Sequence, residues 1–591
     1  MSVQWDATMT KKRQYDGEKN RDSTTAGAET SSTNGGYSRR RVLGGLGVAS
    51  ALSLVGAGGL ATANGADEQG SSQNDRLERA YEIRRTIADR LRETSVPNHE
   101  TNGDEQRYEN RIATFTKGLP HDDLGEVDPD AYDELLDALE TGDGEDFEAV
   151  TVGDEREFIE PQAAFGFTVA GYDPHTIETE APPRFDSAEA AAELAEIYWM
   201  ALVRDVPFQE YEDNELIRAA AHDLTEFSDF AGPMVDGEVT PQTVFRNVAP
   251  GVTTGPYVSQ FLLKRVPEGA LFKDQRIRTA QPDVDYITDY DDWLATIRGE
   301  TIGPEEGEVE DDELFDPEPR YIRSGRDLTA YVQRDVMFGA YVNAVLIIIG
   351  DNVDGIVANP EEIYDEASPY GEYETQAEFV NFGRPGVLDL VAGVTQPAHS
   401  AAWFQKWLVH RSLRPEQFGG RVHNHLRDDV DVTYPINDEL FESPVLERIY
   451  DEYGSHLVPQ AFPEGGPTHP AYPSGHGAVA GACTTVLKAV FDEDYEIEEP
   501  VQATADGLNL EPCPVDEPLT IGGELNKLAS NANAGRVFGG VHYRGNTFDG
   551  IGLGEQVAIG YLRDIKLRYN EYPDEFDEWT FTNVMGEEVT I

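Results

Sequence analysis

Three short stretches hold the residues whose types and spacing suit chemistry: Lys406–Pro415 (KWLVHRSLRP), His469–His476 (HPAYPSGH) and Arg536–His542 (RVFGGVH). They supply Lys406, Arg414 and Arg536 as cations, the Ser474 hydroxyl and Gly475 amide as neutral donors, and His469, His476 and His542 as imidazoles. A planar guanidinium fork and a point-like ammonium can neutralise a multiply charged anion from different sides. This donor set suits a tetrahedral oxyanion, phosphate or its larger analogue vanadate, with an imidazole on either side of it.

Each stretch needs a helix end to present it. Pro473-Ser474-Gly475-His476 stands just before an alanine-rich run, so Ser474 is a natural N-cap. The Gly475 amide and the positive end of the helix dipole then face the ligand. Read alone, the same residues describe a capped helix with an incidental histidine. Lys406 falls in the last turns of a helix expected over Pro397–Leu413, and Arg414, preceding Pro415, is biased out of helical geometry. The two cations can then approach one anion from different directions. A basic helix end complementing the dipole is the simpler reading of this pair, weakened by the chain's having only ten lysines. Arg536 and His542 would point about 120° apart on a straight helix. Gly539-Gly540 interrupts that helix and lets both converge, although His542 by itself would pass for a core histidine.

Helices are also expected over Asp75–Glu93, from Ser187 to the break at Pro207, and over Asn214–Phe227, Arg326–Ile349, Ser474–Phe491 and Leu525–Phe538. Sustained two-residue alternation is scarce, so strands are expected only as short hairpins. The fold expected is mainly α, with helical bundles leaving the oxyanion site at the base of a cleft.

The combined pattern K-x7-RP, H-x3-PSGH and R-x3-G-x-H resembles the vanadium-dependent haloperoxidases, which share a helical scaffold of two four-helix bundles and an oxyanion site with the type-2 phosphatidic-acid phosphatases. The phosphatases commonly have K-x6-RP; the longer spacing here is similar to the bromoperoxidase branch. Glu196–Leu202, Gly255–Phe261 and Ser324–Leu328 also resemble bromoperoxidase segments, so the likeness runs from about Phe185 to the C-terminus. It implies that Lys406, Arg414, Ser474, the Gly475 amide and Arg536 hold the equatorial oxygens of vanadate, and that His542 is the axial nitrogen ligand to the metal. His476 would be the acid–base group beside the apical oxygen. His469 stands where chloroperoxidases carry phenylalanine, and Trp403 matches an aromatic on the halide side. The implied activity is oxidation of bromide or iodide by hydrogen peroxide to hypohalous acid, which halogenates an organic acceptor. Catalysis would rest on His476, Lys406 and His469, with His469 titrating near neutrality. An acid phosphatase of the same superfamily, with His542 as nucleophile, is the alternative. One departure stands out: many members place an aspartate four residues after the last histidine, and here that residue is Asn546, with Asp549 three further on.

Composition sets the remaining expectations. The chain has 591 residues, 39% hydrophobic, and a formal net charge of -65 from 111 acidic and 46 basic residues. Such acidity excludes nucleic acid as a natural partner and reads as a protein from concentrated salt, where screening shrinks to about 3 Å. Ser38-Arg39-Arg40-Arg41, an apolar stretch to Leu60 and Ala61-Thr62-Ala63 read as a twin-arginine export signal. Residues 1–63 are therefore a leader, 64–180 a charged and partly helical region, and 181–591 the catalytic domain. The protein is expected to be secreted, with no membrane segment in the mature form and with homo-oligomers possible. The acidic run Glu305–Glu318 lacks the regular oxygen spacing of a calcium loop. His423 and His425, two residues apart, make no metal site alone. Cys483 and Cys513 leave one disulfide possible.

Overall fold

The computed structural model describes residues 66–300, 302, 315–350, 363 and 368–591. The leader with its twin-arginine segment, and most of the run Glu305–Glu318, lie outside the described residues. Helix α1 spans Ala66–Glu93; its part up to Glu82 belongs to one unit, and Ile83–Ile591 forms another. The stretch drawn from sequence as 64–180 thus contributes, from Ile83 onward, to the unit that holds the site residues.

In chain order this unit continues with α2 (Pro129–Thr141), α3 (Ala188–Val203) and α4 (Glu215–Glu226). Next come α5 (Gly325–Gln333), α6 (Gly339–Ile348), α7 (Arg384–Phe404), α8 (Pro415–Leu426) and α9 (Val445–Tyr453). The last three are α10 (Gly475–Val490), α11 (Ile521–Phe538) and α12 (Arg544–Ile565). Strands occur as three antiparallel pairs: β1 (Val266–Glu268) with β2 (Leu271–Lys273), β3 (Val501–Ala503) with β4 (Leu510–Pro512), and β5 (Thr580–Thr582) with β6 (Glu588–Thr590). The protein is mainly α, with short hairpins only among its described strands.

Helix starts follow side-chain caps. Ser187 accepts from the Ala190 amide, Asn214 from Leu216 and Ile217, and Thr520 from Gly523. One group of helices gathers around the buried α3, which packs on α4, α8, α9 and α11. In a second group α7, α10 and α12 pack on one another, and α11 packs on α5, α10 and α12. The tightest seam joins α10 to α12 through glycines. A Cβ on Gly481 would lie 2.0 Å from the Ile551 carbonyl oxygen, and one on Gly554 1.9 Å from that of Ala478. Only hydrogen fits there, so the two backbones touch and the N-terminal ends of α10 and α12 meet.

Two helix expectations need correction. Arg326–Ile349 is not one helix: α5 stops at Gln333 and α6 begins at Gly339. The intervening Arg334–Phe338 turn exposes a polar residue in an otherwise apolar run. The helix expected over Pro397–Leu413 begins at Arg384, keeps Pro397 inside it, and ends in a π-helical turn, Gln405–His410, closed by Arg411 at φ 39°. Among the described residues no helix is long and apolar enough to cross a membrane.

Candidate active site

The three stretches converge. Lys406 sits in the π-helical turn, a wider turn often found at functional sites. Trp407 beside it packs into a small core with Phe115, Leu119, Tyr132 and Leu135, so residues before 180 brace the turn that carries Lys406. Arg414 adopts the extended geometry expected before a proline, φ -84° and ψ 151°, and caps α8. Ser474 caps α10, accepting from the Gly477 amide at 3.1 Å. Gly475 is then the first helical residue, whose N–H has no partner within the helix. Arg536 lies in the last turn of α11. Gly540, at φ 78°, ends that helix and turns His542 back toward Arg414.

Arg414 is fully buried and donates from Nε to the His469 carbonyl at 3.0 Å, from Nη1 to the Val541 carbonyl at 2.6 Å and from Nη2 to the His469 carbonyl at 2.8 Å. Its Nη1 also lies 3.3 Å from Nε2 of His542, and its Nη2 3.0 Å from Nδ1 of His469. Lys406 Nζ donates to the Pro470 and Ala471 carbonyls at 2.7 and 2.9 Å, leaving one of three donors for a ligand. Arg536 Nη1 donates to Gln333 Oε1 at 3.3 Å, while its buried Nε has no protein partner. Ser474 Oγ donates to Asn533 Oδ1 at 3.3 Å. Among the described residues no carboxylate comes within ion-pair distance of Lys406, Arg414 or Arg536. Glu416 lies behind Arg414 but is held by Lys117 Nζ at 2.8 Å and the Gly466 amide at 2.8 Å.

Three buried cations without counter-ions leave a strong electrostatic demand for an anion. Burial first, then Arg414 and Arg536, holds the Lys406 ammonium well below its ordinary pKa. Burial and the neighbouring Arg536 lower Arg414 to about 9. Burial, then Arg414 and Lys406, holds His542 well below the ordinary imidazole value. The expectation that His469 titrates near neutrality is corrected on the same grounds. Burial, then Lys406 and Arg414, holds it far below that range, as a neutral ring that donates from Nδ1 to the Pro470 carbonyl at 3.1 Å and presents Nε2 to the Arg414 guanidinium at 3.5 Å. An orphaned guanidinium nitrogen, one spare ammonium donor, a helix N-terminus and uncompensated positive charge together fit a tetrahedral oxyanion.

The histidines differ in their surroundings. Nδ1 of His542 lies 3.3 Å from Asn546 Oδ1, so the amide oxygen can accept a hydrogen bond from the Nδ1–H and leave Nε2 with its lone pair toward the cations. Asn546 thus occupies the orienting position anticipated for it, and its own carbonyl accepts from the Ser474 amide at 2.8 Å, tying the α12 start to the α10 start. Asp549 instead accepts from the Tyr472 hydroxyl at 2.9 Å. His476 Nε2 lies 3.4 Å from Asp335 Oδ1. Trp403 stacks over this corner, its ring 5.0 Å from that of His469, and a Cβ on Gly475 would lie 3.1 Å from it.

Sequence reasoning missed Asp335 and Gln333, which flank the break between α5 and α6, and His399, held to about pKa 4 by burial and then His476. The signal for Asp335 was the polar step Gln333-Arg334-Asp335 inside a largely apolar run. His423 and His425 bind backbone amides, of His456 and Tyr434 respectively, and no cluster of three metal-ligating groups occurs among the described residues. Cys483 and Cys513 are free thiols.

Comparison with known proteins places this geometry. A family model described as the VCPO second helical-bundle domain matches residues 395–570, the span that carries all three stretches. The vanadium-dependent bromoperoxidase of Ascophyllum nodosum is 36% identical over 487 residues, 78% of this chain and 83% of its own. That of Corallina officinalis is 32% identical over 567 residues, 80% of this chain and 91% of its own. A solved structure, the homohexameric second vanadate-dependent bromoperoxidase of Ascophyllum nodosum, aligns with a TM-score of 0.78 at 31% identity, over 87% of this chain and 90% of that one. With relatives this similar over four-fifths of its length, and with its oxyanion cradle inside the matched bundle, the chain belongs to the vanadium-dependent bromoperoxidase family.

Proposed function

We propose that this chain is a vanadate-dependent peroxidase that oxidises bromide or iodide, in the overall reaction of hydrogen peroxide, halide and a proton to hypohalous acid and water. The observation that carries this reading is the cluster of Lys406, Arg414 and Arg536, buried without ion-paired carboxylates around Nε2 of His542, which faces Arg414 Nη1 at 3.3 Å. Lys406, Arg414, Arg536, Ser474 and the Gly475 amide would hold the vanadate oxygens, and His542 Nε2 would ligate the metal. Bound vanadate would supply a Lewis acid that polarises hydrogen peroxide without a change of oxidation state. The remaining Nζ donor of Lys406 would add positive charge to the oxyanion it helps to hold, in a place where burial strengthens it. His476, oriented by Asp335, can take and return a proton at the mouth of the cradle. Trp403 and the neutral His469 form the wall that a halide meets.

We further read the protein as exported by the twin-arginine route, adapted to high salt, and oligomeric. Of the seven lysines in the described residues, five (Lys117, Lys264, Lys406, Lys488 and Lys527) are buried, so the exposed surface keeps almost no lysine. The homohexameric relative supports assembly of copies. The test is metal-free protein reconstituted with orthovanadate and assayed for bromination of a phenol-type dye in molar salt. Vanadate should create the activity and phosphate should compete with it. Brisk hydrolysis of phosphate monoesters with no bromination would make the protein an acid phosphatase instead.

A further inference from the structure

Against Asn546, the residue that faces His542 Nδ1, lies a cavity of about 30 Å³ lined by Asp104, Phe185, Glu193, Ser412, Tyr543 and Asn546 among others, and by none of the three cations. It has room for at least one water molecule. Two buried polar atoms in its wall find no protein partner: Asp104 Oδ1 and the Tyr543 hydroxyl. Other carboxylate oxygens on the wall do have partners: Asp104 Oδ2 accepts from the Phe185 amide at 2.8 Å and Glu193 Oε1 accepts from the Gly545 amide.

The third group is Asn546. Its Oδ1 accepts from the Tyr543 backbone N–H at 3.3 Å, a group that can only donate, and faces His542 Nδ1 at the same distance. The amide is planar, so with Oδ1 turned to His542 the Nδ2 group is the end that meets the cavity. An amide can flip where a carboxylate cannot be told from its flipped form. If Asn546 turned over, Nδ2 would face His542 Nδ1, the ring would be driven to carry its proton on Nε2, and the nitrogen needed for the metal would be blocked.

We propose that a water bound in this cavity by Asp104 and Tyr543 accepts from Asn546 Nδ2, and that this locks the amide and thereby the tautomer of His542. The hydrogen bonds close. The water donates to Asp104 Oδ1 and accepts from the Tyr543 hydroxyl and from Asn546 Nδ2. Burial raises Asp104 to about 6 and Glu193 to about 8, a wall in which a further carboxylate at position 546 would be costly and a neutral amide is not. Asparagine at this position therefore goes together with the acids around it. Asp104, Tyr543 and Asn546 are positioning residues, and the first of them comes from the part of the chain outside the family likeness read from sequence.

The inference rests on His542 as the nitrogen that holds vanadate, and the experiment separates the two. Ring-nitrogen NMR of metal-free protein carrying ¹⁵N-histidine reads the His542 tautomer directly, with His542→Gln to assign the signal. The wild type should hold the proton on Nδ1. Tyr543→Phe and Asp104→Asn, which keeps an acceptor for the Phe185 amide, should each populate the Nε2–H form and raise the vanadate dissociation constant about tenfold. Folding is checked by circular dichroism. If both variants fold and leave the tautomer and the vanadate affinity unchanged, the water lock is wrong. If the wild type binds no vanadate while its tautomer responds to the variants, the lock stands and the functional reading fails.

Discussion

Replacing Lys406 by methionine removes the charge from the cradle while keeping most of the side-chain volume. The ammonium is completely buried, and its depressed pKa records first the cost of burial and then repulsion from Arg414 and Arg536. Deleting it relieves that repulsion but strands the Ala471 carbonyl, at about 1–3 kcal/mol, while the Pro470 carbonyl keeps Arg414 Nη2 at 3.3 Å and His469 Nδ1 at 3.1 Å. Net stability should therefore change little or fall modestly. Oxyanion affinity should fall sharply, because one charge-assisted hydrogen bond worth about 1.5–3 kcal/mol is lost, roughly 10- to 150-fold in dissociation constant. The pH dependence adds a second readout. A base whose pKa is lowered in the free protein is pushed up when an anion binds, so binding takes up protons and weakens as pH rises through the interval between the two values. Each proton taken up makes affinity fall about tenfold per pH unit. The wild type should show this slope on the alkaline side, and Lys406→Met should flatten it. Isothermal titration with orthovanadate in two buffers of different ionisation enthalpy counts the protons. An unchanged proton count together with affinity within threefold of wild type would refute the idea that Lys406 is a repelled, ligand-seeking cation.

Three further outcomes are expected. His542→Ala should abolish stable vanadate retention in equilibrium dialysis, whereas His476→Ala should keep most of it and lose turnover by at least 100-fold; the reverse order would exchange their roles. His469→Phe should raise chloride oxidation relative to bromide in steady-state assays, because a neutral ring bonded to Arg414 is replaced by an apolar one; wild-type rates with chloride equal to bromide would remove His469 from halide choice. With net charge -65 and five of seven described lysines buried, folding followed by circular dichroism should weaken below about 0.5 M salt and recover on adding it back; full stability in dilute buffer would detach the acidic surface from salt adaptation.

The sequence by itself determined the mainly helical class, most helix starts and which cations, donors and imidazoles to look for together. All of these depend on local rules: a capping serine, a residue before proline, a glycine pair that ends a helix. Ser474, Arg414 and Gly540 do in the structure what their immediate neighbours dictate. Only the tertiary structure decided the protonation of the site and what stands behind it. His469 reads as an ordinary titrating imidazole until Lys406 and Arg414 are packed against it, because burial and charge depend on contacts between residues far apart in the chain. Asp335 became a partner of His476 only when the apolar run broke into two helices. Asp104 reached the back of Asn546 because a segment more than four hundred residues earlier folds over that end of α12. No local pattern specifies such a contact; it follows from which surfaces bury one another.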